Sequence, residues 1–338
     1  MTICVDLRGF RAAGRSRRTR ALTELASLAA AAGPTGLRVV ADGEAAFAAR
    51  LAVGPGTHVG PEAPTNPAAI TYRAFGEANP APMAAGPILV EAGDLGRLVD
   101  ADEGPSDRDA VLADRLHALA EAERVIWRVA VEWQADVLRS SLGVAPARIL
   151  PLPSRVTLPP ADRLRSLRLP AGLPPEYLLC LTPVGPAGDH AGLVRACRSL
   201  GPAAPVLVVL GVDDQAWLPA LSGAIARAGM HGRVLLLRDL DPLSEVAAIG
   251  RARAVVALDR HPAHAVRLRQ AAGLHRPAAV RRHPGHAAWV DGGRWFDDDG
   301  HGLATALTES ASIRPGPDGD RTGGQDPLID RLIADGDA

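Results

Sequence analysis

Six arginines fall within thirteen residues near the start of the chain: Arg8, Arg11, Arg15, Arg17, Arg18 and Arg20. They lie between an apolar run at residues 2–6 and a helical pattern at 17–32. In an open α/β sheet, the loop after a strand's carboxyl end opens onto the ligand crevice, and the helix N-terminus there favours anions. Arg15, Arg17 and Arg18 are therefore expected to hold a phosphate or another anionic group. The structural alternative is a solvated helix face in an arginine-rich chain.

A second concentration lies towards the other end, where six of the ten histidines fall between His261 and His301. His261-Pro-Ala-His264 and His283-Pro-Gly-His286 repeat one spacing, with Asp259 and Asp291 nearby. Such pairs with carboxylates suit a transition metal, but Pro262 and Pro284 are expected to break the helical geometry that would aim both rings one way. No metal is assigned. An anion pocket that adds Arg267, Arg281 and Arg282 to His264 is a second reading, and plain loop histidines a third.

Other chemistry is excluded. All 37 basic residues are arginine, which rules out a Schiff-base, P-loop or general-base lysine. There is no Gly-x-Ser-x-Gly elbow and no dinucleotide glycine signature. Cys4, Cys180 and Cys197 have neither the number nor the spacing of a disulfide framework or a zinc site, and Cys4 and Cys180, in apolar strand-like runs, read as small buried hydrophobes. A net charge of −1 and 3% aromatic residues give neither a field nor stacking platforms for nucleic acid. No apolar run approaches the ~18 residues of a membrane span and no leader pattern opens the sequence, so a cytoplasmic protein is expected, with peripheral membrane contact left open.

The elements that must position these residues follow from periodicity. A chain of 338 residues with 47% hydrophobic content suits two domains, each of about 150 residues. Strands are expected at 2–6, 37–41, 69–72, 88–91, 124–129 and 148–152, with helices at 17–32, 45–51, 108–121 and 132–142 between them. Prolines at 151, 153, 159 and 160 mark a linker. The alternation then resumes: strands at 177–181, 206–210, 234–237, 254–258, 278–280 and 294–296, and helices at 191–200, 217–228, 242–249, 263–272 and 302–308. Strand–helix alternation with short links predicts parallel sheets. The expected organisation is an N-terminal domain at 1–155, a C-terminal domain at 156–312, and a Gly/Pro/Asp-rich tail at 313–338.

Several short motifs fit this order. Ile3-Cys-Val-Asp6 followed by Gly14-Arg-Ser-Arg-Arg-Thr19 resembles the opening strand and Gly-x-Gly-Arg-Tyr-Thr loop of family-4 glycosyltransferases, with Gly14, Arg17 and Thr19 matching. Arg124-Val-Ile126, Leu142-Gly-Val, Pro146 and Arg148-Ile149 resemble the segment that closes that family's first domain. The strand, turn, helix, strand and Asp-rich turn between Ala254 and Gly300 resemble its donor half-site. The resemblance covers the chain to about residue 312. It implies the GT-B architecture: two doubly wound, Rossmann-like parallel-sheet domains facing a cleft, with a nucleotide-diphosphate sugar bound between them and no other cofactor.

The residues at the family's reactive positions differ. Retaining transferases of this kind neutralise the departing pyrophosphate with an Arg-Lys pair, because charge develops there in the transition state. The corresponding loop is Thr182-Pro-Val-Gly-Pro-Ala-Gly-Asp189, with Ala187 and Gly188 at the basic positions. The family's Glu-x7-Glu pair maps onto Pro262 and Gln270, and its His-Asp strand end onto Gly93 and Asp94, leaving Asp94 as a weak catalytic candidate. Gln270 retains a hydrogen-bonding group for a ribose hydroxyl. Donor or anion binding is thus expected from Arg15, Arg17, Arg18, His264, Gln270, Arg281 and Arg282. Three functions follow from the resemblance: a transferase with an atypical site, a catalytically degenerate homologue that binds a partner such as an active glycosyltransferase, or a nucleotide-sugar epimerase-like enzyme.

Overall fold

The computed structural model describes residues 3–7, 21–22, 25, 37–41, 43–53, 57–60, 70–73, 88–91, 95, 107–151, 158, 169, 172–185, 188–212, 214–238, 240, 242–260, 265–290, 293–297 and 301–313. They form two compact units, one of residues 1–155 and one covering 156–260 and 265 onward.

The N-terminal unit is built on seven parallel strands: β1 (Ile3–Asp6), β2 (Leu37–Val40), β3 (His58–Gly60), β4 (Ile70–Arg73), β5 (Ile88–Glu91), β6 (Val125–Val129) and β7 (Ile149–Pro151), in the order β3-β2-β1-β4-β5-β6-β7. Helices α1 (Gly43–Val53), α2 (Asp107–Glu121) and α3 (Glu132–Leu142) lie between strands in sequence. Alternate residues supply the two faces. Val5, Leu37 and Val39 join Ala45 and Ala49 of α1 on one side. Ile88, Val90, Val125 and Trp127 meet Leu116, Leu119, Ala135 and Leu138 of α2 and α3 on the other. Helix α3 begins where the buried Gln134 side chain accepts the Ala130 N–H at 2.7 Å. It ends at Gly143, whose φ of 64° turns the chain so that the Val144 N–H reaches the Leu138 carbonyl at 3.0 Å.

The C-terminal unit repeats the plan with six parallel strands: β8 (Tyr177–Cys180), β9 (Val206–Leu210), β10 (Val234–Leu237), β11 (Ala254–Ala257), β12 (Ala278–Arg281) and β13 (Arg294–Phe296), in the order β10-β9-β8-β11-β12-β13. Its helices are α4 (His190–Ser199), α5 (Leu218–Arg227), α6 (Pro242–Arg251), α7 (Val266–Gly273), α8 (Pro284–Ala287) and α9 (Leu303–Ser312). The strands are near-continuous apolar runs because both faces are covered. Leu178, Cys180, Leu207, Val209 and Val256 pack with Leu193, Val194, Leu221 and Leu307. Tyr177, Leu179, Val208, Leu210 and Val255 pack with Val246, Ile249, Leu268 and Ala271. Strand order reverses direction between β8 and β11 here, and between β1 and β4 in the first unit, which makes those carboxyl ends the ligand-facing positions of a doubly wound sheet.

The expected α/β class and doubly wound sheets are present. Three local expectations change. The short strand β3 has no counterpart in the periodicity. Pro284 opens α8 instead of breaking a helix, since a proline at the first helical position loses no bond. The helix expected from 263 begins at Val266, after Ala265 in a left-handed conformation (φ 42°). The three cysteines are buried and free, as their apolar surroundings imply. Burial pushes the Cys197 thiol up to about 12 and the Cys180 thiol higher still, so neither supplies a thiolate. The 314–338 tail and the arginine-rich loop at 8–20 lie outside the described residues.

Much of the arginine content serves as scaffold. Arg148 donates to the Val125 carbonyl at 2.9 Å, Arg233 to the Gly201 and Ala204 carbonyls at 3.1 and 2.9 Å, and Arg253 to the Ala311 carbonyl at 2.7 Å. Each planar guanidinium ties a loop or helix end to a distant element with several donors, which a point-charge ammonium does less well.

Candidate functional site

The carboxyl edge of the second sheet is stitched together at its topological switch. Thr182, just beyond β8, is fully buried. Its Oγ1 accepts the Leu258 N–H at 2.8 Å and donates to Asp259 Oδ2 at 2.9 Å. One hydroxyl thus spans the gap between the β8 and β11 loops and uses both its donor and an acceptor position.

Gly188 lies in the same loop. A β-carbon there would meet Thr182 Cγ2 at 3.0 Å, His190 Cε1 at 3.1 Å and Leu258 Cβ at 3.1 Å. The His190 ring, only 6% exposed, is wedged with Nδ1 3.1 Å from the Gly188 carbonyl and Nε2 3.1 Å from the Thr182 carbonyl. Asp189 caps α4 by accepting the Gly192 N–H at 2.7 Å. Position 188 therefore lacks a cation, and the stem of one would require Thr182, His190 and Leu258 to give by a few tenths of an ångström.

One cation of this edge belongs to α7. Arg267 Nη1 donates to the carbonyls of Leu181 (2.8 Å) and Leu210 (3.0 Å), just past the end of β8 and at the end of β9. Its Nε and Nη2 form a two-pronged pair with Glu245 Oε1 and Oε2 at 2.8 and 3.0 Å. The side chains are 15% and 24% exposed. Arg267 thus joins α6, α7 and two strand ends.

Beyond β12 the chain presents Arg281 and Arg282. Arg281 is 1% exposed, with its guanidinium carbon 5.7 Å from the Phe296 ring centre. Arg282 is exposed and pairs with Asp297 at 3.0 Å, a contact worth little in water. The two neighbours therefore differ in access to solvent. His286, on α8, is completely buried, and its Nδ1 is 2.8 Å from the Arg281 carbonyl, so that nitrogen carries the proton. Its Nε2 has no hydrogen-bond partner among the described residues. Burial lowers the His286 pKa, Asp259 and the bond to the Arg281 carbonyl partly offset this, and the Arg281 cation lowers it further.

This fixes the sign of a pH effect. The folded ring takes up a proton less readily than the unfolded one, whose ordinary value is 6.5. Folding stability is then full above that pH and is lost as pH falls through it, towards the lowered folded value. Thermal melts of wild type and His286→Asn between pH 7.5 and 5.5 are expected to show a steeper acid loss in wild type. Parallel profiles would contradict this assignment.

Gln270, on α7, is half-buried, and its Oε1 has no hydrogen-bond partner among the described residues. Arg269 beside it stacks on Trp289, 4.1 Å from the ring centre. Arg15, Arg17, Arg18, Asp94 and His264 lie outside the described residues. His283 and His286 are edge to face, their ring centres 6.2 Å apart, with His283 Nδ1 accepting the Gly285 N–H at 3.0 Å. Among the described residues, no three His, Cys, Asp or Glu side chains are grouped to hold a metal ion. No helix among the described residues is long and apolar enough to cross a membrane. Sequence reading did not find Thr182, His190 or Glu245. Thr182 meets Leu258 and Asp259 more than 70 residues on, Glu245 meets an arginine 22 residues on, and His190 meets two main-chain carbonyls, none of which leaves a residue pattern to read.

No protein-family model matches the sequence. No curated protein matches it either. Solved structures do. WaaG, a glycosyltransferase involved in lipopolysaccharide biosynthesis, is similar with a TM-score of 0.66 and 15% identity, over 90% of each chain. Anabaena HepE, in complex with UDP and glucose, gives 0.64 and 14% identity over 91% of this chain and 89% of its own. Sucrose-phosphate synthase from Thermosynechococcus elongatus gives 0.63 and 16% identity over 91% and 89%. At these identities the likeness establishes the fold alone: the chain has the Rossmann-like architecture of the GT-B fold.

Proposed function

We propose that this chain is a catalytically degenerate, glycosyltransferase-like protein of the cytoplasm that acts as a binding or partner subunit. The observation that carries this reading is Gly188. Charge on a departing diphosphate must be met by a preorganised cation; at the two positions where the family-4 resemblance puts one, Ala187 and Gly188 carry no charge, and a side chain at 188 would press on Thr182, His190 and Leu258. Of the other cations at this edge, Arg267 is paired with Glu245, Arg281 is 1% exposed, and Arg282 is exposed but paired with Asp297. The partner proposed is an active glycosyltransferase.

The second reading is retained nucleotide-sugar binding. It is favoured by the buried Oε1 of Gln270, which has no partner among the described residues and stands at the position the resemblance gives to a ribose-binding carboxylate. Arg15, Arg17, Arg18, Arg282 and His264 are the further residues proposed for that role, and Asp94 would be its catalytic candidate. An assay of nucleotide release from a panel of nucleotide-diphosphate sugars separates the two. The degenerate reading expects release at the background rate, and turnover with any one sugar overturns it.

A further inference from the structure

Arg267 has the geometry of an anion receptor whose own chain has filled it. Its Nη1 is fixed by two strand-end carbonyls, Leu181 at 2.8 Å and Leu210 at 3.0 Å, so the guanidinium plane is set by the sheet. The opposite edge, Nε and Nη2, presents two parallel N–H groups. That fork matches a carboxylate or a phosphate equally well, and the carboxylate of Glu245 occupies it at 2.8 and 3.0 Å. Glu245 lies in the first turn of α6, where a negative charge is favoured without any partner. Its side chain is 24% exposed and thus has water to turn into. Releasing Glu245 would leave Arg267 anchored and its fork open at the carboxyl edge of a doubly wound sheet, where such folds take ligands.

We propose that the Arg267 fork is a phosphate-oxoanion site and that Glu245 is its internal plug. The plug is a tethered competitor at high local concentration, so a phosphate or diphosphate group binds the wild-type chain weakly and binds well only when Glu245 swings away. A partner that draws α6 aside would open the site. The inference rests on this edge alone and is independent of whether the chain transfers sugar.

The test uses Glu245→Ala, full-length, titrated calorimetrically with inorganic pyrophosphate and with uridine diphosphate. The Arg267 Nε–H resonance is followed by NMR in both proteins, assigned through its own side-chain carbons. The expected result is at least about a tenfold gain in pyrophosphate affinity over wild type, with the Arg267 resonance moving in step. Tighter binding of the nucleotide than of pyrophosphate identifies a nucleotide-borne phosphate as the ligand, and equal binding identifies free phosphates. A folded variant with no gain overturns the proposal. So does a gain that leaves the Arg267 resonance unmoved, since the anion then sits elsewhere. If the variant fails to fold, the wild-type resonance decides: movement under millimolar pyrophosphate supports the plug, and no movement refutes it. Sugar turnover in the nucleotide-release assay would overturn the degenerate reading and leave this result standing.

Discussion

Replacing Arg267 with methionine is expected to destabilise the C-terminal unit by about 3 kcal/mol, the cost of breaking a largely desolvated pair by removing one partner. The methylene stem is kept, so the packing of α7 is little changed. What is lost is every donor: the Leu181 and Leu210 carbonyls and both Glu245 oxygens are left without their partner. Denaturant unfolding followed by tryptophan fluorescence would measure the loss. A change within about 0.5 kcal/mol, as for an ordinary surface substitution, would show that the pair is solvated and that the edge is not held by it. Glu245→Ala should cost less than Arg267→Met, because Arg267 keeps its two carbonyl partners and gains water.

The second large effect concerns Gly188→Lys, the substitution that would nominally restore a cation to the β8 loop. It is expected to cost about 2–3 kcal/mol by overpacking and to confer no affinity for a nucleotide sugar. Contacts of 3.0–3.1 Å to Thr182, His190 and Leu258 require neighbours to shift. Two of those neighbours are the hydroxyl residue that bridges the switch and the imidazole wedged beside it. Gly188→Ala should show most of the same destabilisation with no charge added, which separates packing from electrostatics. If the lysine variant is as stable as wild type and binds a nucleotide sugar, the loop has merely lost its charge and not its space.

Most of the scaffold was legible in the sequence for definite physical reasons. Val206–Leu210, Val234–Leu237 and Ala254–Ala257 are unbroken apolar runs because their sheet is covered on both faces. Helix Glu132–Leu142 has a clear amphipathic period and a glycine stop. His58–Gly60 was not legible: three residues, one of them apolar and one glycine, carry no period. The helix at Pro284–Ala287 is a single turn, shorter than any periodic signal.

The site was legible only as a set of substitutions. The family-4 resemblance sets Gly188 where that family has a basic residue, but does not show that Leu258, 70 positions on, crowds the space around it. Arg267 stood out only as one more arginine near the histidines. Its partners are a carboxylate 22 residues away and carbonyls 57 and 86 residues away, and a carbonyl has no residue identity to read. Arg281 and Arg282 were paired by adjacency, yet one is enclosed and the other exposed. Adjacent positions on a strand end face opposite ways, so neighbours in sequence need not share a ligand.

On this proposal the chain holds no nucleotide-diphosphate sugar tightly: Gly188 carries no charge, Arg267 is paired with Glu245, Arg281 is enclosed, and Arg282 is exposed and paired with Asp297. Calorimetric titration of the full chain with a panel of nucleotide-diphosphate sugars tests it most directly. No saturable heat in the micromolar range is expected for any of them. A low-micromolar dissociation constant for even one sugar nucleotide would contradict it.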